Sequence, residues 1–96
     1  MVKIHRKKPI VYVGDQPVKL TKGEYQLVTV LGMMDTRLVS HDVLLDVMCE
    51  GRVQIPADKD VLHVKMSRLK RKIGSEILQC KPGQGYALSC RVEFCG

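Results

Sequence analysis

Leu62, Met66, Leu69 and Ile73 recur at spacings of four, three and four residues, the period of one buried face of an α-helix. Asp58 stands ahead of this run as an N-cap, and Gly74 follows it where helices commonly end. The spacing predicts a helix over 59–73, held to a core along one narrow stripe. At about 100° per residue, with Leu62 at the origin, the stripe covers about 340° to 40°. Val61, Lys65, Arg68 and Lys72 then fall on one flank, at about 240° to 300°. Lys70 takes the opposite flank, and Arg71 points away from the core. No acid occurs between 61 and 75, so this helix carries no i,i+4 acidic partners within it and its charge reads as unneutralised.

The rest of the chain supplies a frame for that helix. Ile10-Val11-Tyr12-Val13 and Val18-Lys19-Leu20 are β-type runs around Gly14-Asp15-Gln16-Pro17, a turn composition. Thr21 and Glu24 have the spacing of a capping box. They open a first helix with Leu27, Val28, Leu31 and Met34 on one face, weakened at its end by Gly32. Ser40 is the N-cap of a second helix over 41–49, with Asp42 in its first turn and Val43, Leu44, Val47 and Met48 as its apolar face. Residues 50–57, containing Pro56, break the pattern before the third helix. Residues 77–80 and 86–89 flank Lys81-Pro82-Gly83-Gln84-Gly85 as a terminal hairpin. The order is ββ-α-α-α-ββ, an α+β domain over 10–90 with a basic arm over 1–9 and a short tail over 91–96.

Charge sharpens this picture. The chain has 96 residues and a formal net charge of +6, enough for one domain with a modest core. The excess is uneven. Lys3, Arg6, Lys7 and Lys8 occur together with no acid among residues 1–8, and Lys65, Arg68, Lys70, Arg71, Lys72 and Lys81 face only Glu76 across 63–81. Two basic segments on a mildly acidic body point to a polyanionic partner. The arm is expected to touch phosphates without reading bases. Glycines and a lysine at the hairpin tip, with Lys81 and Gln84, allow close approach to a neighbouring phosphate.

Other chemistries find no residues to carry them. There is no pair of catalytic carboxylates, no Ser/His/Asp order and no phosphate-cradling glycine loop, so an enzyme is not expected. Cys49, Cys80, Cys90 and Cys95 show no C-x-x-C spacing, and His5, His41 and His63 are scattered. No metal site or cofactor is expected. Reduced thiols are the default for a cytosolic chain, with a Cys90–Cys95 disulfide as the alternative. No apolar run approaches the length of a membrane span and no secretion signal is visible, so a cytoplasmic, nucleoid-associated location is expected.

The motifs together resemble the effector domains of OmpR/PhoB-type regulators. Val13-Gly14, Val18-Lys19-Leu20-Thr21, Glu24, Leu27 and Leu31 are similar to the opening of that family. Ser40, Leu44 and Val47, then the run Val64 to Ile73, are similar to its second and recognition helices, and Gly83-Gln84-Gly85-Tyr86 to the glycine-tyrosine signature of its wing. The resemblance covers about 11–89. It implies a winged helix-turn-helix with an N-terminal antiparallel sheet of four strands, three helices and a C-terminal β-hairpin wing. It also implies sequence-specific binding of double-stranded DNA, with the third helix in the major groove and the wing in the adjacent minor groove. Val61, Lys65, Arg68, Lys70 and Lys72 would carry base or phosphate contacts, on direct-repeat half-sites filled head to tail by weakly self-associating protomers. The loop 50–57 corresponds to a segment that can touch RNA polymerase, which makes Arg52 and Gln54 its candidate contacts.

Three departures stand out. No receiver domain accompanies these motifs, so a standalone regulator without phosphorylation control is expected. Pro82 stands where many relatives carry a wing arginine, with Lys81 as the candidate substitute. The tail beyond Cys90 extends past the usual end of the family. The competing reading is a winged helix that docks on RNA polymerase or another regulator without reading DNA. The unpaired cationic flank favours DNA, since a protein-docking face is richer in aromatic and apolar anchors.

Overall fold

The computed structural model describes residues 2–50 and 52–96; Met1 and Gly51, which fall in the expected arm and loop, lie outside the described residues. In chain order the elements are β1 (Val2–His5), β2 (Ile10–Val13), β3 (Gln16–Lys19), α1 (Lys22–Met33), β4 (Val39–Ser40), α2 (His41–Cys49), α3 (Ala57–Ile73), β5 (Leu78–Lys81), β6 (Gly85–Leu88) and β7 (Val92–Cys95). A four-stranded sheet runs β3-β2-β1-β7, and a three-stranded sheet runs β4-β6-β5.

The basic segment at the start is therefore no free arm. Val2 and Ile4 of β1 are buried while Lys3 is exposed, the alternation of a strand with one face on a core. The tail is likewise a strand: β7 lies parallel to β1, with Val2 opposite Val92 and Ile4 opposite Phe94. Gly32 of α1 explains the approach, because a Cβ there would sit 2.7 Å from Val92 and 2.8 Å from Ile4. The expected four-stranded sheet thus forms, but its outer strand is parallel and comes from the far end of the chain. The first hairpin turn is also tighter than its composition suggests. Val13 pairs with Gln16, which places Gln16 and Pro17 in β3. Pro17 is tolerated there because β3 is an edge strand.

Both capping motifs of the first two helices form. Thr21 and Glu24 exchange reciprocal bonds, Glu24 N–H to Thr21 Oγ1 at 3.3 Å and Thr21 N–H to Glu24 Oε1 at 2.9 Å, and Ser40 accepts from the Val43 N–H. Leu27, Val28 and Leu31 of α1 are buried, whereas Met34 is 41% exposed just past the helix end. The buried face of α2 is rotated from the expected one. Leu44, Leu45 and Cys49 point inward and Val43 is 46% exposed, with Val47 and Met48 half-buried. All four stripe residues of α3, Leu62, Met66, Leu69 and Ile73, are buried. They join Ile4, Val11, Leu27, Leu31, Leu44 and Leu88 in one core cluster. Among the described residues no helix is long and apolar enough to cross a membrane.

Candidate nucleic-acid interface

α3 begins two residues earlier than the 59–73 expected, at Ala57, and Asp58 is not its N-cap. Pro56 occupies the cap position without a side-chain bond. Asp58 instead turns back from the first turn: Oδ2 accepts from the Ile55 N–H at 2.8 Å. Its two oxygens also receive Arg52, at 2.8 Å and 3.2 Å. This fork-to-fork ion pair fixes the end of the α2–α3 loop onto the helix. The hydrogen bonds from Arg52 and from the Ile55 backbone draw the Asp58 carboxyl down to about 2. Gln54 is also engaged, donating to Asp46 of α2 at 2.6 Å. Arg52 and Gln54, the expected polymerase contacts, thus both bond within the domain. The loop also carries the apolar Val53 and Ile55, 84% and 55% exposed.

With one face of α3 locked into the core, the opposite face is set rigidly toward solvent. Val61 and Val64 are 43% and 50% exposed there, beside exposed Ser67, Arg68 and Arg71. Asp60, Val61, Val64, Lys65 and Arg68 line one shallow depression, and His63, Val64, Ser67, Arg68 and Arg71 line the next. Arg68 and Val64 therefore sit at the centre of the outward face. Val64 and Ser67 share this outward face and were not among the contacts expected from the sequence, although the helical period already put Val64 opposite the stripe, at about 200°.

The cations divide into those with a carboxylate partner and those without. Among the described residues the ion pairs are Arg52–Asp58, Lys72–Glu24 and Arg91–Asp35, so Lys65, Arg68, Lys70, Arg71 and Lys81 have no carboxylate partner. Lys72 differs from expectation. Its Nζ lies 2.7 Å from Oε1 of Glu24, whose side chain is almost fully buried at the start of α1. Burial raises the Glu24 carboxyl, but the Lys72 bond, the Thr21 backbone bond and the Lys72 charge outweigh it and hold the group below its ordinary value. Lys65 is half-buried, its ammonium resting against Gly23 of α1. Lys70, also half-buried, lies on the far flank with Ser67, Arg71, Gly74 and Ser75.

The C-terminal hairpin stands beside α3. The Gln84 N–H closes its turn on the Lys81 carbonyl at 2.9 Å, leaving Lys81, Pro82, Gly83 and Gln84 exposed. A cleft of about 400 Å³ brings Gly83 and Gln84 next to Ser40, His41 and Asp42 of the α2 start and Lys59 and His63 of α3. Tyr86 on β6 anchors this arrangement, its hydroxyl 3.3 Å from His63 Nδ1 and its ring edge-on to His41. Gly85 permits the close pairing of β6 with β4: a Cβ there would lie 2.0 Å from the Val39 carbonyl oxygen. A rigid helix face bearing guanidinium groups, with an exposed turn at its side, suits the groove and flanking backbone of a duplex.

Comparison with known proteins agrees with this geometry. Residues 15–88 match the family model described as "Transcriptional regulatory protein, C terminal". The chain is 30% identical over 77 residues to the TorCAD operon transcriptional regulatory protein TorR of Escherichia coli, covering 80% of this chain and 33% of that protein. It is 26% identical over 87 residues to the transcriptional regulatory protein QseB of Haemophilus influenzae, covering 91% of this chain and 38% of that one. The chain thus spans about a third of the length of the curated relatives it matches. Among solved structures, the C-terminal domain of the nisin resistance regulator NsrR superposes with a TM-score of 0.71 at 29% identity, covering 85% of each chain. The DNA-binding domain of Bacillus subtilis CssR shares the fold with a TM-score of 0.77 at 20% identity, covering 92% of this chain and 99% of that one. The chain belongs to the OmpR/PhoB-type family of transcriptional regulatory proteins, as a winged-helix DNA-binding domain.

Proposed function

We propose that this domain regulates transcription by binding specific duplex sites, α3 lying in the major groove and the wing turn on the adjacent backbone and minor groove. The observation that carries the reading is the outward face of α3. Arg68 and Arg71 are exposed there without acidic partners among the described residues, on a helix held to the core by the four buried stripe residues. A guanidinium so held offers paired donors to guanine O6 and N7, and exposed Val61 and Val64 offer apolar contact to thymine methyls. Lys65, Lys70, Arg71, Lys81 and Gln84 take phosphates around these base contacts.

Tandem half-sites filled head to tail, with weak association off DNA, fit a small domain of this family. Contact with RNA polymerase through the α2–α3 loop falls to the exposed Val53 and Ile55, because Arg52 and Gln54, though at the surface, are bonded to Asp58 and Asp46. A location in the cytoplasm, on the nucleoid, goes with this role. Selection from a random duplex pool followed by gel shift tests the proposal. An enriched sequence bound far more tightly than random duplex is expected; equal binding of all sequences, or none, would exclude it.

A further inference from the structure

The β1–β2 turn places Arg6, Lys7 and Lys8 side by side, all exposed. Two features give this turn a definite shape and place. The His5 Nδ1 accepts from both the Lys7 N–H and the Lys8 N–H, each at 3.0 Å. A side-chain acceptor serving the amides two and three residues on is the geometry of an Asx turn, here made by an imidazole. The turn is also tied to the start of α1, since Tyr25 donates its hydroxyl proton to the His5 carbonyl at 2.5 Å and the Leu20 N–H donates to the Pro9 carbonyl at 2.8 Å.

Two further lysines stand at the start of α1 and on the adjoining flank of α3. Lys22 is exposed at the first position of α1. The next residue, Gly23, is so close to Lys65 of α3 that a Cβ would lie 2.7 Å from the Lys65 Nζ. The nearby acid, Glu24, is buried and already bonded to Lys72 and Thr21. None of Arg6, Lys7, Lys8, Lys22 or Lys65 has an ion-pair partner among the described residues.

We propose that the β1–β2 turn is a second contact with the DNA backbone, preformed by His5. It extends the cationic flank of α3 through Lys65 and Lys22 onto phosphates beyond the half-site that α3 reads. This rests on the duplex-binding reading above and adds a footprint to it. Regular phosphate charge along the duplex is the complementary partner for unpaired cations carried by the turn, the start of α1 and the flank of α3, and it carries no base information.

The test is a salt titration of binding to the selected site with the wild type and the variant Arg6→Gln, Lys7→Gln, Lys8→Gln. Two duplexes are used, one ending at the half-site and one with about 10 further base pairs on each side, about one helical turn. On the long duplex the affinity ratio of wild type to variant is expected to shrink about 10- to 40-fold between 50 and 200 mM salt, as two or three phosphate contacts would produce. On the short duplex the two proteins should differ little, and the preference for the selected site over random duplex should be equal in both. His5→Ala should reproduce part of the loss, and His5→Asn, which restores an acceptor, should recover it. Equal salt dependence of wild type and variant on both duplexes would overturn the proposal while leaving the binding reading intact. A variant that binds one half-site normally but loses cooperative filling of two would assign the turn to a neighbouring copy and also overturn it. If the wild type bound no duplex at all, the failure would lie with the binding reading itself.

Discussion

Lys72 of α3 and Glu24 of α1, 48 residues apart in sequence, meet as an ion pair of 2.7 Å in which the carboxylate is buried and the ammonium partly exposed. Glu24 is also the reciprocal partner of Thr21 in the α1 capping box. One carboxylate thus caps α1 and fastens it to α3, the helix proposed to face DNA. Lys72→Ala leaves a buried charge without its partner. The expected cost is about 1–2 kcal/mol of stability, reduced from the value of a dry pair because Lys72 reaches solvent. Thermal unfolding measures that loss. DNA binding at a temperature where both proteins are folded should show a near-unchanged salt dependence, whereas Lys81→Ala should lower the slope by about 0.9. A similar slope change for Lys72→Ala would mean that this lysine leaves Glu24 for a phosphate.

Acid should release the α2–α3 loop through Asp58. Its carboxyl, held at about 2 by Arg52 and the Ile55 amide, has an ordinary value of 3.8. A depressed folded value stabilises the folded state above the unfolded value, and that contribution is lost as pH falls through the folded value. The Asp58 contribution should therefore be complete above about pH 4 and fade toward about pH 2. Asp58→Asn should lower the melting temperature at neutral pH and flatten its decline across that window. Arg52→Ala should also lower it, in contrast to the purely partner-binding role its sequence position suggested. An Arg52→Ala protein as stable as wild type would restore Arg52 to the list of surface contacts.

Gly85→Ala tests the seating of the wing. The added methyl would press on the Val39 carbonyl, a backbone atom that cannot swing aside. Overpacking of this kind costs about 1–3 kcal/mol. Tyr86, the next residue, would be displaced from His63, so DNA affinity should fall together with stability. Gly83→Ala is the control at the open turn, where a Cβ meets nothing within 4 Å. Its positive φ of 74° adds local strain, but no displacement of Tyr86 is expected.

What the sequence revealed follows the range over which each signal acts. The stripe of α3 has 17 helical residues in which to establish its period, and its four apolar buried residues were all legible, though the buried Asp58 of its first turn was read as a cap. Helix α2 has nine, too few to separate Val43 from Leu45 as the inward residue. The capping box at Thr21 and Glu24 was legible because both its bonds are local. The Lys72 bond to the same carboxylate was not, since no local rule links positions 48 residues apart. Strands β1 and β7 have four residues each and pair parallel across almost the whole chain. The basic start disguised β1, whose buried members are only Val2 and Ile4. The family resemblance gave the architecture of the site but could not show that Arg52, Gln54 and Lys72 have partners inside this domain.

Arg68 should be the residue on which base discrimination turns. It is exposed midway along α3, next in sequence to the fully buried Leu69, so its backbone is fixed while its side chain is free to reach. It shares surface depressions with Val64 on both sides and has no carboxylate partner among the described residues. The planar fork can engage guanine O6 and N7 together, a geometry that a lysine point charge lacks. Arg68→Ala should cost about 1–3 kcal/mol on the selected site and little on random duplex. Arg68→Lys should keep the random binding and lose most of the preference. Lys81→Ala should weaken both alike, because a phosphate contact carries no base information. Competition titrations that give wild type and Arg68→Ala the same ratio of specific to random affinity would show that the reading head lies elsewhere on α3.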